Sequence, residues 1–80
     1  MNTQKEDLLT RDGIAYLIAR LLDNAFQAKK DRDNDKNSLF EEGRVEAYYE
    51  MLDTLKNELI IREEDLKKYG LDIALEAALG

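Results

Sequence analysis

Ile14-Ala15-Tyr16-Leu17-Ile18-Ala19-Arg20-Leu21-Leu22-Asp23-Asn24-Ala25-Phe26 is the stretch that sets the fold. Its apolar residues Ile14, Leu17, Ile18, Leu21, Leu22, Ala25 and Phe26 recur every three or four positions, which draws one broad stripe down an α-helix. Thr10 stands where an N-cap is needed, with a hydroxyl that can accept a first-turn amide. Leu9 and Ile14 occupy the two positions of a hydrophobic staple around it. Asp12 suits the positive end of the helix dipole, and Lys29 and Lys30 suit the negative end. The spacing predicts a helix over about 11–30. Leu8 and Leu9 fall off the stripe, so residues 1–9 read as a separate lead-in, where Thr3 to Glu6 has the form of a capping box.

Downstream, Asp31 to Asn37 contains no apolar residue and reads as a linker over 31–37. Ser38-Leu39-Phe40-Glu41 is a second capping box, and a second helix is predicted over about 39–60. Phe40, Ala47, Tyr48, Met51, Leu52, Leu55 and Leu59 make its main apolar stripe. Val45, Tyr49 and Ile60 make a narrower second one, while Glu42, Glu46, Glu50 and Asp53 face outward. Beyond Ile61, Leu66 and Tyr69 would stay in phase with one continuous helix, but Ile60 and Ile61 would not. The preferred reading is a break near Ile61-Arg62 and a short helix over 63–69. Gly70 is placed to end it in the left-handed conformation, with Leu71 closing back on Leu66. Asp72 would then cap a last turn from Ile73 to Leu79.

These elements give an all-α chain with a single domain over 1–80. It is an antiparallel helical hairpin, about 11–30 against 39–60, with a short C-terminal helical segment folded over it. Two helices alone expose too much apolar surface. The second stripe therefore needs the C-terminal segment or another subunit, and dimerisation into a four-helix bundle is the natural completion. Val45, Tyr49, Ile60, Tyr16 and Gly43 are the candidate interface residues. Gly43 and Ala47, one turn apart, would permit a close helix approach; otherwise Gly43 is an incidental helix glycine costing about 1 kcal/mol against alanine.

The composition removes most of the usual chemical inventory. The chain has no His, Cys, Trp or Pro. Histidine acid–base catalysis and cysteine nucleophiles are excluded, and zinc, haem and iron–sulfur sites lose their ligands. Hard oxygen-ligated cations stay open. With 18 acids against 12 bases the net charge is −6, and no basic stripe offsets it, which argues against direct nucleic-acid binding. The apolar runs are too short to span a bilayer, and Met1-Asn2-Thr3-Gln4 lacks a secretory pattern, so the cytoplasm is the expected location and no membrane partner is expected. Arg20 and Arg44 suit exposed ion pairs. Glu42 with Glu46 reads as a solvated acidic face, since a di-metal bundle would need a Glu-x-x-His motif.

Asp31-Arg32-Asp33-Asn34-Asp35-Lys36-Asn37-Ser38-Leu39-Phe40-Glu41-Glu42 resembles the EF-hand calcium loop, flanked by helices as that motif requires. The resemblance implies calcium ligation by the carboxylates of Asp31, Asp33 and Asp35, the backbone carbonyl of Asn37 and a bidentate Glu42. The chain departs from the family at the sixth position, where Lys36 replaces the turn glycine. It departs again at the eighth, where Ser38 replaces an apolar residue. Turn formation by Asp and Asn, with Ser38 capping the next helix, explains the same residues without an ion.

The run Phe40-Glu41-Glu42-Gly43-Arg44-Val45-Glu46-Ala47-Tyr48-Tyr49-Glu50-Met51-Leu52, followed by Leu66-Lys67-Lys68-Tyr69-Gly70-Leu71-Asp72, resembles small uncharacterised helical proteins of Gram-positive bacteria, their phages and other mobile elements. That resemblance covers about residues 12–75. It implies a cytoplasmic helical accessory protein and carries no site residue. The leading functional expectation is a non-enzymatic, homo-oligomeric protein that acts through protein–protein contacts. The second is a divalent-cation module using the 31–42 loop. The third is an acidic inhibitor or decoy of a DNA-binding protein.

Overall fold

The computed structural model describes residues 10–80, which are helical with no strand among them; the predicted lead-in over 1–9 lies outside the described residues. Helix α1 spans Arg11–Asn34 and α2 spans Leu39–Ile61. A 3-10 turn covers Leu66–Tyr69, and α3 covers Leu75–Leu79. Both long helices start where their caps predict. The Thr10 hydroxyl accepts the Gly13 amide at 3.0 Å, and the Ser38 hydroxyl accepts the Glu41 amide at 3.1 Å.

The hairpin is antiparallel, and two long-range ion pairs mark its ends. Arg44 meets Asp31 at 2.9 Å beside the connection, and Arg11 meets Glu64 at 3.0 Å at the open end. Between them the core is apolar. Ile18, Ala25 and Ala28 on α1 are buried with Val45, Leu52 and Leu59 on α2, and no polar side chain is buried with them among the described residues. The two alanines carry little bulk, which suits a close helix approach near the connection.

The first helix outruns its predicted end by one turn, so the linker over 31–37 contracts to Asp35–Ser38. Nothing in Asp31-Arg32-Asp33-Asn34 breaks a helix, and the side chains support one more turn. Gln27 donates to Asp31, and Lys29 pairs with Asp33, both one turn apart.

After α2 the chain turns twice by the same device. At the end of α2 the Glu64 amide donates to the Leu59 carbonyl and the Glu63 amide to Ile60, with Glu63 left-handed at φ 59°. At the end of the 3-10 turn the Leu71 amide donates to Leu66 and the Gly70 amide to Lys67, with Gly70 at φ 73°. Both are Schellman endings. The expected helix over 63–69 is shortened because Glu63 is spent on the first turn, and Asp65 caps the 3-10 turn through the Lys67 amide. The last helix also starts later than predicted. Ala74 is its N-cap, without a side-chain bond, and Asp72 does not cap it.

This path lays residues 62–80 along one flank of the hairpin. Tyr69, Leu71, Leu75 and Leu79 are buried there. Lys56 on α2 donates to the Ile73 carbonyl, and the Arg32 guanidinium donates to the Gly80 carbonyl at 2.8 Å.

The two turns make a paired prediction. A left-handed L-residue costs about 1–2 kcal/mol, against an extra chain-entropy cost of roughly 0.5–1 kcal/mol for glycine. Glu63→Gly should raise stability by about 0.5–1 kcal/mol. Gly70→Ala should lower it by about 1–2 kcal/mol, since its φ of 73° holds an L-residue in the left-handed region. Urea unfolding followed by helicity reads both changes.

Candidate functional site

Helical geometry decides the fate of the calcium-like loop. Residues two apart on an α-helix point about 200° apart. With α1 extended through Asn34, Asp31 and Asp33 therefore leave opposite sides of its last turn. Asp31 faces α2, where Arg44 holds it at 2.9 Å with Gln27 at 3.0 Å. Asp33 turns back to Lys29 at 3.0 Å and Arg32 at 3.2 Å. Asp35 ends the helix, Asn37 lies in the short connection, and Glu42 lies in the first turn of α2. Among the described residues no three carboxylates stand close enough to hold a metal ion. The predicted ligand set of Asp31, Asp33, Asp35, Asn37 and Glu42 is thus not assembled. Two of its carboxylates serve the ends of helices instead.

Those ion pairs leave an electrostatic signature. Hydrogen bonds from Arg44 and then Gln27 hold the Asp31 carboxyl below its ordinary pKa. The bond from Lys29 does the same for Asp33, and the bond from Arg11 does it for Glu64. At the open end of the hairpin the Tyr69 hydroxyl also donates to Glu64, at 3.2 Å, which ties the 3-10 turn through Glu64 to Arg11 of α1. Burial, and then that bond to Glu64, pushes the Tyr69 phenol upward.

The predicted interface residues separate. Val45 is buried and Tyr49 half-buried, both under α3. The C-terminal segment therefore covers Val45 and part of Tyr49 within the chain. A shallow cleft of about 290 Å³ remains there, lined by Val45, Tyr49, Leu75 and Leu79. Burial, with Glu76 and Asp53 nearby, raises the Tyr49 phenol. Ile60 is half exposed, and Tyr16 is exposed on the outer side of α1. Gly43 is exposed, and a methyl group built on it would touch nothing.

The open surface lies on the other flank of the hairpin, and it takes residues the sequence assigns to the main stripe. Phe40 is 71% exposed and Met51 45%, and Ala47 between them is exposed too. On α1 the matching flank carries Leu17, 44% exposed, with Asn24 and Asp31 in the same seven-residue row. Arg44 bridges the two helices on this flank through Asp31 and is also held by Glu41 at 2.7 Å. The apolar arc of α2 runs from Val45 round to Phe40. That is wider than one partner helix covers, so the flank left by the C-terminal segment stays open.

Acid should loosen this molecule in a defined window. The depressed carboxylates stabilise the fold above the ordinary carboxylate range near pH 4, and they lose that contribution as pH falls through their lower folded-state values. Glu64→Gln should therefore be less stable than the parent at pH 7 and match it at low pH, where Glu64 is protonated in both states. Urea midpoints across pH measure this. Millimolar calcium should leave the thermal midpoint of the parent unchanged. No helix among the described residues is long and apolar enough to cross a membrane. No family model, no curated protein and no solved structure matches the chain.

Proposed function

We propose that this chain is a non-enzymatic helical interaction protein that works through the open flank of its hairpin. The observation that carries the reading is the exposure of Phe40, Ala47, Met51 and Leu17 on a flank whose counterpart is clothed by residues 62–80. Scattered exposed apolar residues need no explanation, but a contiguous row rimmed by charge marks a protein contact. Here the row runs along one ridge of α2, with Arg44, Glu58 and Arg62 as its polar members.

The chemistry of the rest supports a binding role over catalysis. Asp31 and Glu64 are held in ion pairs at the ends of the hairpin, and Glu42, Glu46 and Glu50 of α2 are exposed. A chain without His or Cys lacks the commonest general base and the thiol nucleophile.

A photoreactive side chain at position 51, introduced in the source cells, tests the proposal. Position 51 should give protein adducts under illumination, while position 50, on the acidic outer side of the same helix, should give none. Equal yields at both positions, or none at either, would refute the assignment of this flank.

A further inference from the structure

The open ridge of α2 has a symmetry of its own. Phe40, Arg44, Ala47, Met51, Leu55, Glu58 and Arg62 succeed one another at intervals of four, three, four, four, three and four residues, the same read from either end. Met51 is the midpoint. Folding the row about Met51 sets Arg44 opposite Glu58, Ala47 opposite Leu55 and Phe40 opposite Arg62. The first pair is a charge complement. The second is a small residue against a large one. The third places a guanidinium against an aromatic ring.

From this we infer that the occupant of the open flank is a second copy of this chain, with α2 packed antiparallel to α2 of the partner about a two-fold axis at Met51. The inference rests on reading that flank as a protein-binding surface and names what binds there. An isologous contact must be self-complementary under the two-fold, so residue i meets j and j meets i. The row meets that demand at every position. Its side chains are available: Phe40, Ala47, Met51, Glu58 and Arg62 are exposed, and Arg44 and Leu55 are half-buried. Arg44 keeps donors beyond those used on Asp31 and Glu41. Among the described residues Glu58 is held by Arg62 alone, at 3.7 Å.

The hairpin carries the same symmetry onto α1. Arg44 pairs with Asp31 and Arg11 with Glu64, so the level of Met51 on α2 corresponds to Asn24 on α1. Asn24 is exposed in the row of Leu17 and Asp31, and the same axis brings it to the partner's Asn24. A facing amide pair of this kind fixes register in helical bundles. Crossing at the shallow angle of about 20° usual for four-helix bundles keeps the row in contact along its length. The row is about 33 Å long at 1.5 Å per residue, and two adjacent helices are ~20 Å wide. The face therefore covers ~700 Å², near the ~800 Å² per partner of a stable interface.

Sedimentation equilibrium of the full chain, with helicity recorded for every variant, tests the inference. The parent should sediment at twice its 9.3 kDa. Met51→Glu puts two like charges on the axis and should give a folded monomer. Glu58→Arg faces Arg44 of the other copy and should weaken the dimer at least ~10-fold, and adding Arg44→Glu should restore it. Met51→Cys, in a chain without other cysteines, should form a disulfide dimer on mild oxidation, and Asp53→Cys should not. A folded parent that stays monomeric at high micromolar concentration overturns the inference. So does a dimer that ignores Met51→Glu and fails to cross-link through position 51. The photoreactive probe separates the two readings: adducts to a different protein, with a monomeric parent, sink the self-association and keep the flank as a binding surface. No adduct and no dimer sinks both.

Discussion

The structure depends on the burial of Leu71, Leu75 and Leu79 against one flank of the hairpin. Two helices of this length cannot enclose a core, because each buries only the strip facing the other. The C-terminal segment adds the third side, and with it Val45, Leu52 and Ile18 become inaccessible to water. Truncating a buried leucine costs roughly 2–5 kcal/mol. A chain of this size has ~4–12 kcal/mol in all. Each of these leucines is therefore a large share of what keeps the hairpin closed.

Polar contacts hold that segment in place and set its path. Glu64 binds Arg11 and accepts from Tyr69, so the start of the segment is pinned both to α1 and to the segment's own 3-10 turn. Lys56 and Arg32 hold backbone carbonyls at Ile73 and Gly80 further along. These bonds are partly exposed and individually weak. Their effect is directional: they fix which flank is covered. The side of the hairpin bearing Tyr49 is filled, and the side bearing Met51 is left.

The caps, the extent of α2 and the left-handed ending at Gly70 are all legible in the residues, because each depends on neighbours a few positions away. Thr10, Ser38 and Gly70 act within one turn of themselves. Glu63 is not legible, since nothing about glutamate favours positive φ; the need to reverse the chain after Ile61 places it there. The end of α1 escapes the sequence for a related reason. The acids of Asp31 to Asp35 suggest a loop by composition, while their pairing with Gln27, Lys29 and Arg44 is specific to a helix packed beside α2. The two stripes of α2 are both visible in the periodicity: Leu52 and Leu59 of the main one are buried and Val45 of the second is covered by the C-terminal segment, while Phe40 and Met51 of the main one and Ile60 of the second stay exposed. Periodicity shows that a residue is apolar on a given face. Which face meets the chain itself is decided by a segment several turns further along the sequence.

Charge bears on the same division. A chain with net charge −6 repels its own copies on average. The acids are unevenly placed, though. Glu42, Glu46 and Glu50 lie on the outer side of α2, away from the ridge of Met51, and Glu76 flanks the covered side. On the open ridge Arg44 and Arg62 stand with Glu58, and across the hairpin Arg20 stands with Asp31. Repulsion is thus greatest where copies would meet by the acidic outer side of α2, and it is weaker on the flank of Met51. Electrostatics of this kind acts chiefly on orientation and specificity, while the apolar row supplies the attraction.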